Sequence, residues 1–271
     1  MGFEYLTNVP LAQARKEYLE RLVSGGFGSK TETIPVFESC GRVTAKAVYA
    51  HICAPHYAAS AMDGVAVSAK EPFGATETTP VTLKPDQFLV LDTGDPIPED
   101  KDAVIMVEDI VKNGDGSITI HAAAAPWQHI RQIGEDVCAG EMILPSHMTV
   151  SPAAIGAMIA GGVLEIEVIR KPVVGIIPTG DEIIPPCTDP KPGDILEFNG
   201  SIFSAMVRSW GAEAVVYPIV PDKFDQIKEM VAKAADECDM VILNAGSSAG
   251  REDFSARGIR ELGEGLYHGI A

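Results

Sequence analysis

Three groups of residues in this 271-residue chain have the types and spacing to do chemistry. The first is NAGSSAGREDF at 244–254, a glycine-serine stretch with Asp253 directly after the apolar run MVIL. Amides of such a strand-to-helix turn point at an anion, and glycine lets a phosphate approach closely. The same residues also suit a tight connection in which Asp253 is an ordinary N-cap, and no Walker-type lysine follows to separate the two readings. The second group is PTGDE at 178–182, again at the end of an apolar run, which supplies Asp181 and Glu182; Asp222 follows a further run, AEAVVYPIV. Carboxylates from three strand-end loops repel unless something cationic holds them, and a hydrated Mg²⁺ bridging carboxylate and phosphate oxygens would do so. Singly, each of these residues reads as a cap or loop solvator. The third group lies upstream: Asp63 among the small residues of SAMDG, Thr93 and Glu108 around a Pro-rich turn, and Arg131, Glu135 and Asp136 in RQIGED. Turn chemistry accounts for these equally well.

The elements that must position these residues can be read from periodicity. From Lys171 onward, apolar runs at KPVVGIIP, AEAVVYPIV and DMVILN alternate with helical patterns. One is GSIFSAMVRSW after Asn199 as N-cap, with Ile202, Met206 and Trp210 at helical spacing. The other is PDKFDQIKEMVAKAADE, with Asp222 or Pro221 near its start as an N-terminal signal and Phe224, Ile227, Met230, Val231 and Ala234 on one face. Such alternation predicts βαβ units and a parallel sheet, which binds ligands at the carboxyl ends of its strands. Residues from about 50 to 140 hold short alternating runs between Gly, Pro and Asp clusters and predict a β-rich domain. The bracketing segments fit a connecting domain into which it is inserted. The boundaries expected are an N-terminal helix at 1–26 packing with the α/β domain, a linking domain at 27–52 and 140–170, an inserted β-rich domain at 53–139, and an α/β domain at 171–271.

Composition excludes several function classes. The formal charge of −17 disfavours nucleic acid and anionic membranes. The N-terminus lacks the pattern of a signal peptide, and AAIGAMIAGGVL is too short to span a bilayer, so a soluble, cytoplasmic protein is expected. The five cysteines are scattered singly without a CxxC pair, which suggests neither a zinc site nor a disulfide framework. The six histidines show no metal or triad spacing, and there is no nucleophile elbow.

Taken in order, SAMDG at 60–64, TGxPxP at 93–98 with DAV and Glu108, RxxGED at 131–136, PTGDE at 178–182 and GxSxGxxD at 246–253 resemble the MoeA family of molybdopterin molybdenumtransferases, related to the gephyrin E domain. The resemblance runs over essentially the whole chain. It implies a multidomain α/β fold: a molybdopterin-binding βαβ domain with a parallel sheet, a β-rich inserted domain and a linking α+β domain. It also implies an elongated homodimer with its cleft between the α/β domain of one subunit and the inserted domain of its mate. The implied activity is insertion of molybdate into adenylylated molybdopterin with Mg²⁺ present and release of AMP, with molybdopterin adenylyltransferase as pathway partner. The catalytic set would be Asp63, Thr93, Glu182, Asp222 and Asp253, with Asp222 and Asp253 on the metal. Thr179, Gly180, Asp181, Gly246, Ser247, Ser248 and Gly250 would hold the cofactor. Two residues depart from the family pattern, Ala245 in place of a glycine and Val65 in place of a tyrosine. The chain also stops before a Pro-Gly-rich loop and a C-terminal β domain, so a truncated protein is expected. Two other readings remain open, a pterin-binding, dimerising module without turnover and a pterin adenylyltransferase.

Overall fold

The computed structural model describes residues 8–245, 258–259, 261–267 and 269–270. The chain divides into two compact units, one of residues 1–32 and 169–271, the other of residues 33–168.

The first unit opens with helix α1 (Leu11–Ser24), whose Ala14 is buried. Within the unit, Arg21 pairs with Glu264 at 2.8 Å and the Tyr267 hydroxyl donates to Glu17.

The second unit contains two hydrophobic cores. In the β-rich part, strand β1 (Gly64–Val67) is the centre of an antiparallel three-stranded sheet, and β2 (Val81–Leu83) belongs to a second one. Strands β3 (Phe88–Leu91) and β4 (Ala103–Met106) flank β1, while β5 (Ile110–Lys112) and β6 (Ile118–Ile120) complete the second sheet with β6 central. Val65, Val67, Leu83, Ile105, Ile118 and Ile120 fill the space between them. The bracketing segments build a separate core in which helix α2 (Pro152–Ala160) buries Ala154 and Met158 against Val36, Val48 and Val168. Ser151 caps α2, accepting the Ala154 N–H at 3.2 Å, and Pro152 takes the first helical position.

The rest of the first unit is the α/β domain. Strand β7 (Val173–Pro178) is central and parallel to both β8 (Glu213–Val216) and β9 (Met240–Asn244), with helices α3 (Asn199–Ser209) and α4 (Phe224–Glu237) as the crossovers. VVGIIP reads as a continuous apolar run because a parallel strand is covered on both faces, and Ile176 and Ile177 are fully buried. Strand β9 is half-buried at every position, as befits the edge of this sheet among the described residues. Helix α4 presents Ile227, Val231 and Ala234 to the core as its spacing predicts.

Two local expectations about α3 are corrected. Helix α3 includes Asn199, and its N-cap is Phe198; the first turn is satisfied instead by Glu197, whose carboxylate accepts the Gly200 N–H at 2.6 Å. The apolar residues that mark α3, Ile202, Met206 and Trp210, lie on its solvent side, Trp210 being 73% exposed. The buried face is Gly200, Ser204 and Val207, because the helix packs so closely that a Cβ on Gly200 would lie 3.1 Å from Val216 Cγ1. Helix α4 starts at Phe224 with Lys223 as N-cap, and Pro221 and Asp222 stand in the loop just before it, near the start as expected.

Candidate functional site

The three parallel strands β7, β8 and β9 end on one edge, and among the described residues the order β8, β7, β9 places the topological switch point beside β7, where open sheets of this class bind ligands. Thr179 extends β7: its N–H and Oγ1 both donate to the Asn244 carbonyl, at 2.9 and 3.2 Å, tying the end of β7 to that of β9. On the other side Gly180 N–H donates to Val220 O at 3.1 Å, and Val220 N–H to Pro178 O at 2.9 Å. Gly180 has φ +146°, a conformation that favours glycine. A Cβ there would lie 2.6 Å from Ile183 Cγ1 and 3.2 Å from both Glu182 carboxylate oxygens, so Glu182 lies over the glycine.

Asp222 joins this edge through its backbone, donating its N–H to Asp181 Oδ1 at 3.2 Å. Although its side chain is solvent-accessible, its carboxyl is held above the ordinary aspartate value, first by lost hydration and then by the charges of Asp181 and Glu182; a backbone hydrogen bond from Asp181 partly opposes this. The three carboxylates thus repel without forming a preformed cage: among the described residues no three His, Cys, Asp or Glu side chains come together as a metal-ligand set. A cleft of about 560 Å³ opens here, lined by Gly180, Asp181, Glu197, Tyr217 and a run of prolines. Among the described residues, then, Thr179, Gly180, Asp181, Glu182 and Asp222 share one edge. Gly246, Ser247, Ser248, Gly250 and Asp253 lie outside the described residues.

In the second unit, the pairing of Asp63 with Thr93 is direct. Asp63 Oδ1 accepts both the Thr93 N–H and its Oγ1–H, each at 2.7 Å, and these two bonds hold its carboxyl below the usual range. Gly64, next in the chain, lies against the backbone of β4: a Cβ there would sit 2.0 Å from Ile105 O. The Thr93 turn is fixed by Gly94 N–H to Ser60 O and Ser60 N–H to Asp95 O, both 2.9 Å, and by the Tyr57 hydroxyl on Gly94 O at 3.0 Å. Asp63 borders a cavity of about 480 Å³ with Lys112, Asn113 and Ser117. Glu108 is exposed in a 3₁₀ turn. Arg131 is neutralised within its own motif, by Glu135 at 2.5 Å and Asp136 at 3.0 Å.

Gly64, Tyr57 and Glu197 are positioning residues whose role the sequence motifs do not mark. For Glu197 a signal was available, a carboxylate three residues before Gly200 at a helix start; the close approach of Gly64 has no signature in the chain itself.

Comparison with known proteins bears on this arrangement. The family described as MoeA N-terminal region (domain I and II) matches residues 9–162, and the one described as probable molybdopterin binding domain matches residues 175–271. A crystal structure of a molybdopterin biosynthesis MoeA protein from Pyrococcus horikoshii superposes with a TM-score of 0.81 at 30% identity, covering 98% of this chain and 69% of that one. The molybdopterin molybdenumtransferase of Haemophilus influenzae is 30% identical over 96% of this chain and 67% of its own length. Molybdopterin molybdenumtransferase 2 of Mycobacterium tuberculosis is 34% identical over 80% of this chain and 58% of its own. The chain belongs to the MoeA family, and its match spans roughly three-fifths to two-thirds of these two curated relatives.

Proposed function

We propose that this chain acts in molybdenum cofactor biosynthesis as a molybdopterin molybdenumtransferase, inserting molybdate into adenylylated molybdopterin and releasing AMP. The observation that carries the reading is the carboxyl edge of the parallel sheet, where Thr179 and Gly180 shape a strand-end loop and Asp181, Glu182 and Asp222 crowd with no counter-charge among the described residues. The names of the relatives supply the substrate class. The mutual repulsion at Asp222 suits a divalent cation. Mg²⁺ would be held by Asp222 and Asp253, completing its shell with water and phosphate oxygens, as this ion ordinarily does. When bound, it would neutralise charge that develops on phosphate oxygens as AMP departs.

The chain's own groups have distinct parts in this proposal. Thr179, Gly180, Gly246, Ser247, Ser248 and Gly250 hold phosphate and pterin; Glu182 and Asp222 line the acidic side; Asp63, fixed by Thr93, contributes from the β-rich unit of a second copy in a homodimer. A location in the cytoplasm and a pathway partner with molybdopterin adenylyltransferase activity belong to the same proposal; no helix among the described residues is long and apolar enough to cross a membrane. The test is AMP release from adenylylated molybdopterin with Mg²⁺, with and without molybdate. Molybdate-dependent release that Asp222→Asn and Asp253→Asn lose is expected. Release that both variants retain would remove the acidic set from the reaction.

A further inference from the structure

The fold brings together two cysteines that are far apart in the chain. Ala54 and Val137 form an antiparallel bridge in which both backbone bonds are made, Ala54 N–H to Val137 O at 2.8 Å and Val137 N–H to Ala54 O at 3.2 Å. Cys53 and Cys138 are the residues that adjoin this isolated bridge, one on each segment. In a regular antiparallel ladder, residues so placed have Cα atoms about 4.5 Å apart, within the roughly 4.4–6.8 Å that a disulfide spans. The sulfurs turn to the same side: a Cβ built on Gly134 would lie 2.9 Å from Cys138 Sγ and 3.5 Å from Cys53 Sγ. Gly134 has φ +75° and is the glycine of the RxxGED motif, so the absence of a side chain there leaves both sulfurs facing one small space. Cys138 is exposed and donates its S–H to Gly134 O at 3.3 Å; Cys53 is half-buried and accepts the Ala139 N–H at 3.4 Å.

We infer that Cys53 and Cys138 form a redox-active dithiol that closes to an intramolecular disulfide on reaction with small-molecule disulfides. The exposed Cys138, as thiolate, attacks one sulfur of R–S–S–R, breaks that bond and releases one R–S⁻. Cys53, deprotonated, then attacks Cys138 Sγ and displaces the second R–S⁻. The two thiol protons end on the two released thiolates, so two protein thiols are oxidised and one reagent disulfide is reduced. The new bond would tie the strand that enters the β-rich core to the one that leaves it, next to the loop in which Arg131 holds Glu135 and Asp136.

The experiment uses the whole chain with glutathione disulfide as probe, followed by alkylation and peptide mass mapping. The expected result is a fall in alkylatable cysteines from five to three, a loss of two hydrogens in mass, and a peptide pair joined through Cys53 and Cys138. The Cys40→Ser, Cys187→Ser, Cys238→Ser triple variant should keep the joined pair, and Cys53→Ser or Cys138→Ser should lose it. Hydrogen exchange over residues 131–137 should slow on oxidation. Five free thiols after treatment, or glutathione carried singly on Cys53 or Cys138 with no joined pair, would overturn the inference.

Discussion

The two ends of the parallel sheet in the α/β unit treat aspartate in opposite ways. At the amino end, Asp239 accepts the Val173 N–H at 2.9 Å, Lys30 at 3.0 Å and Arg170 at 2.7 and 2.5 Å. Burial works to raise its carboxyl, yet these partners together bring it down to about 2. At the carboxyl end, Asp222 has Asp181 and Glu182 as its charged neighbours, and its carboxyl is pushed the other way. Among the described residues, the same sheet therefore compensates a carboxylate where the need is structural and leaves Asp222 without a cationic partner at the edge where such folds bind ligands. Asp63, in the other unit, is a third case. Neutral donors from one residue, Thr93, organise it without any cation.

The largest expected effect extends the contrast to that third case, because Asp63 is positioned by a close backbone approach rather than by charge. Gly64→Ala must push apart β1 and β4 and should cost about 3 kcal/mol of stability, measured by urea unfolding. A loss below about 1 kcal/mol would mean that the strands yield easily.

Next in size, Asp239→Ala should cost about 2 kcal/mol at pH 7. Because the folded carboxyl is depressed, this stability is complete above the ordinary aspartate value and is lost as pH falls from about 4 to about 2. The unfolding midpoints of wild type and variant should therefore converge in acid; a gap that persists at low pH would contradict the ion-pair account.

Asp222→Asn should behave oppositely. A carboxyl raised on folding costs stability once pH exceeds its unfolded value, so the variant should equal or exceed wild type at pH 7, by no more than about 0.5 kcal/mol for so accessible a site. The difference should vanish below pH about 4. A clear loss of melting temperature would show that Asp222 has a structural partner.

The smallest effect is expected from Thr93→Val, which removes one of two hydrogen bonds to Asp63 and keeps the N–H. The Asp63 carboxyl should move back toward its ordinary value in an NMR titration, with the fold unchanged. An unmoved titration would assign the whole effect to the backbone N–H.

Much of the fold was legible because parallel strands covered on both faces leave continuous apolar runs: VVGIIP and MVILN mark β7 and β9 directly, and the Ile227, Val231, Ala234 spacing marks the inner face of α4. Helix α3 was legible as a helix but not in its orientation, since tight packing chose Gly200, Ser204 and Val207 over the larger Ile202, Met206 and Trp210. Motif residues revealed Asp63 and Thr93 as types, but their pairing across thirty positions depends on the turn pinned by Ser60 and Tyr57. The nearness of Cys53 and Cys138 was hidden for the same reason, because contact between distant segments leaves no spacing to read.

A carboxyl titration of Asp222 by NMR with and without Mg²⁺, with Asp63 and Asp239 as internal references, decides whether this edge binds a cation. Asp222 should titrate above the ordinary aspartate value in the apo protein and fall below it with Mg²⁺, while the two references do not move. An Asp222 that titrates normally, or that ignores Mg²⁺, would contradict the claim that this edge of the sheet is built for a cation.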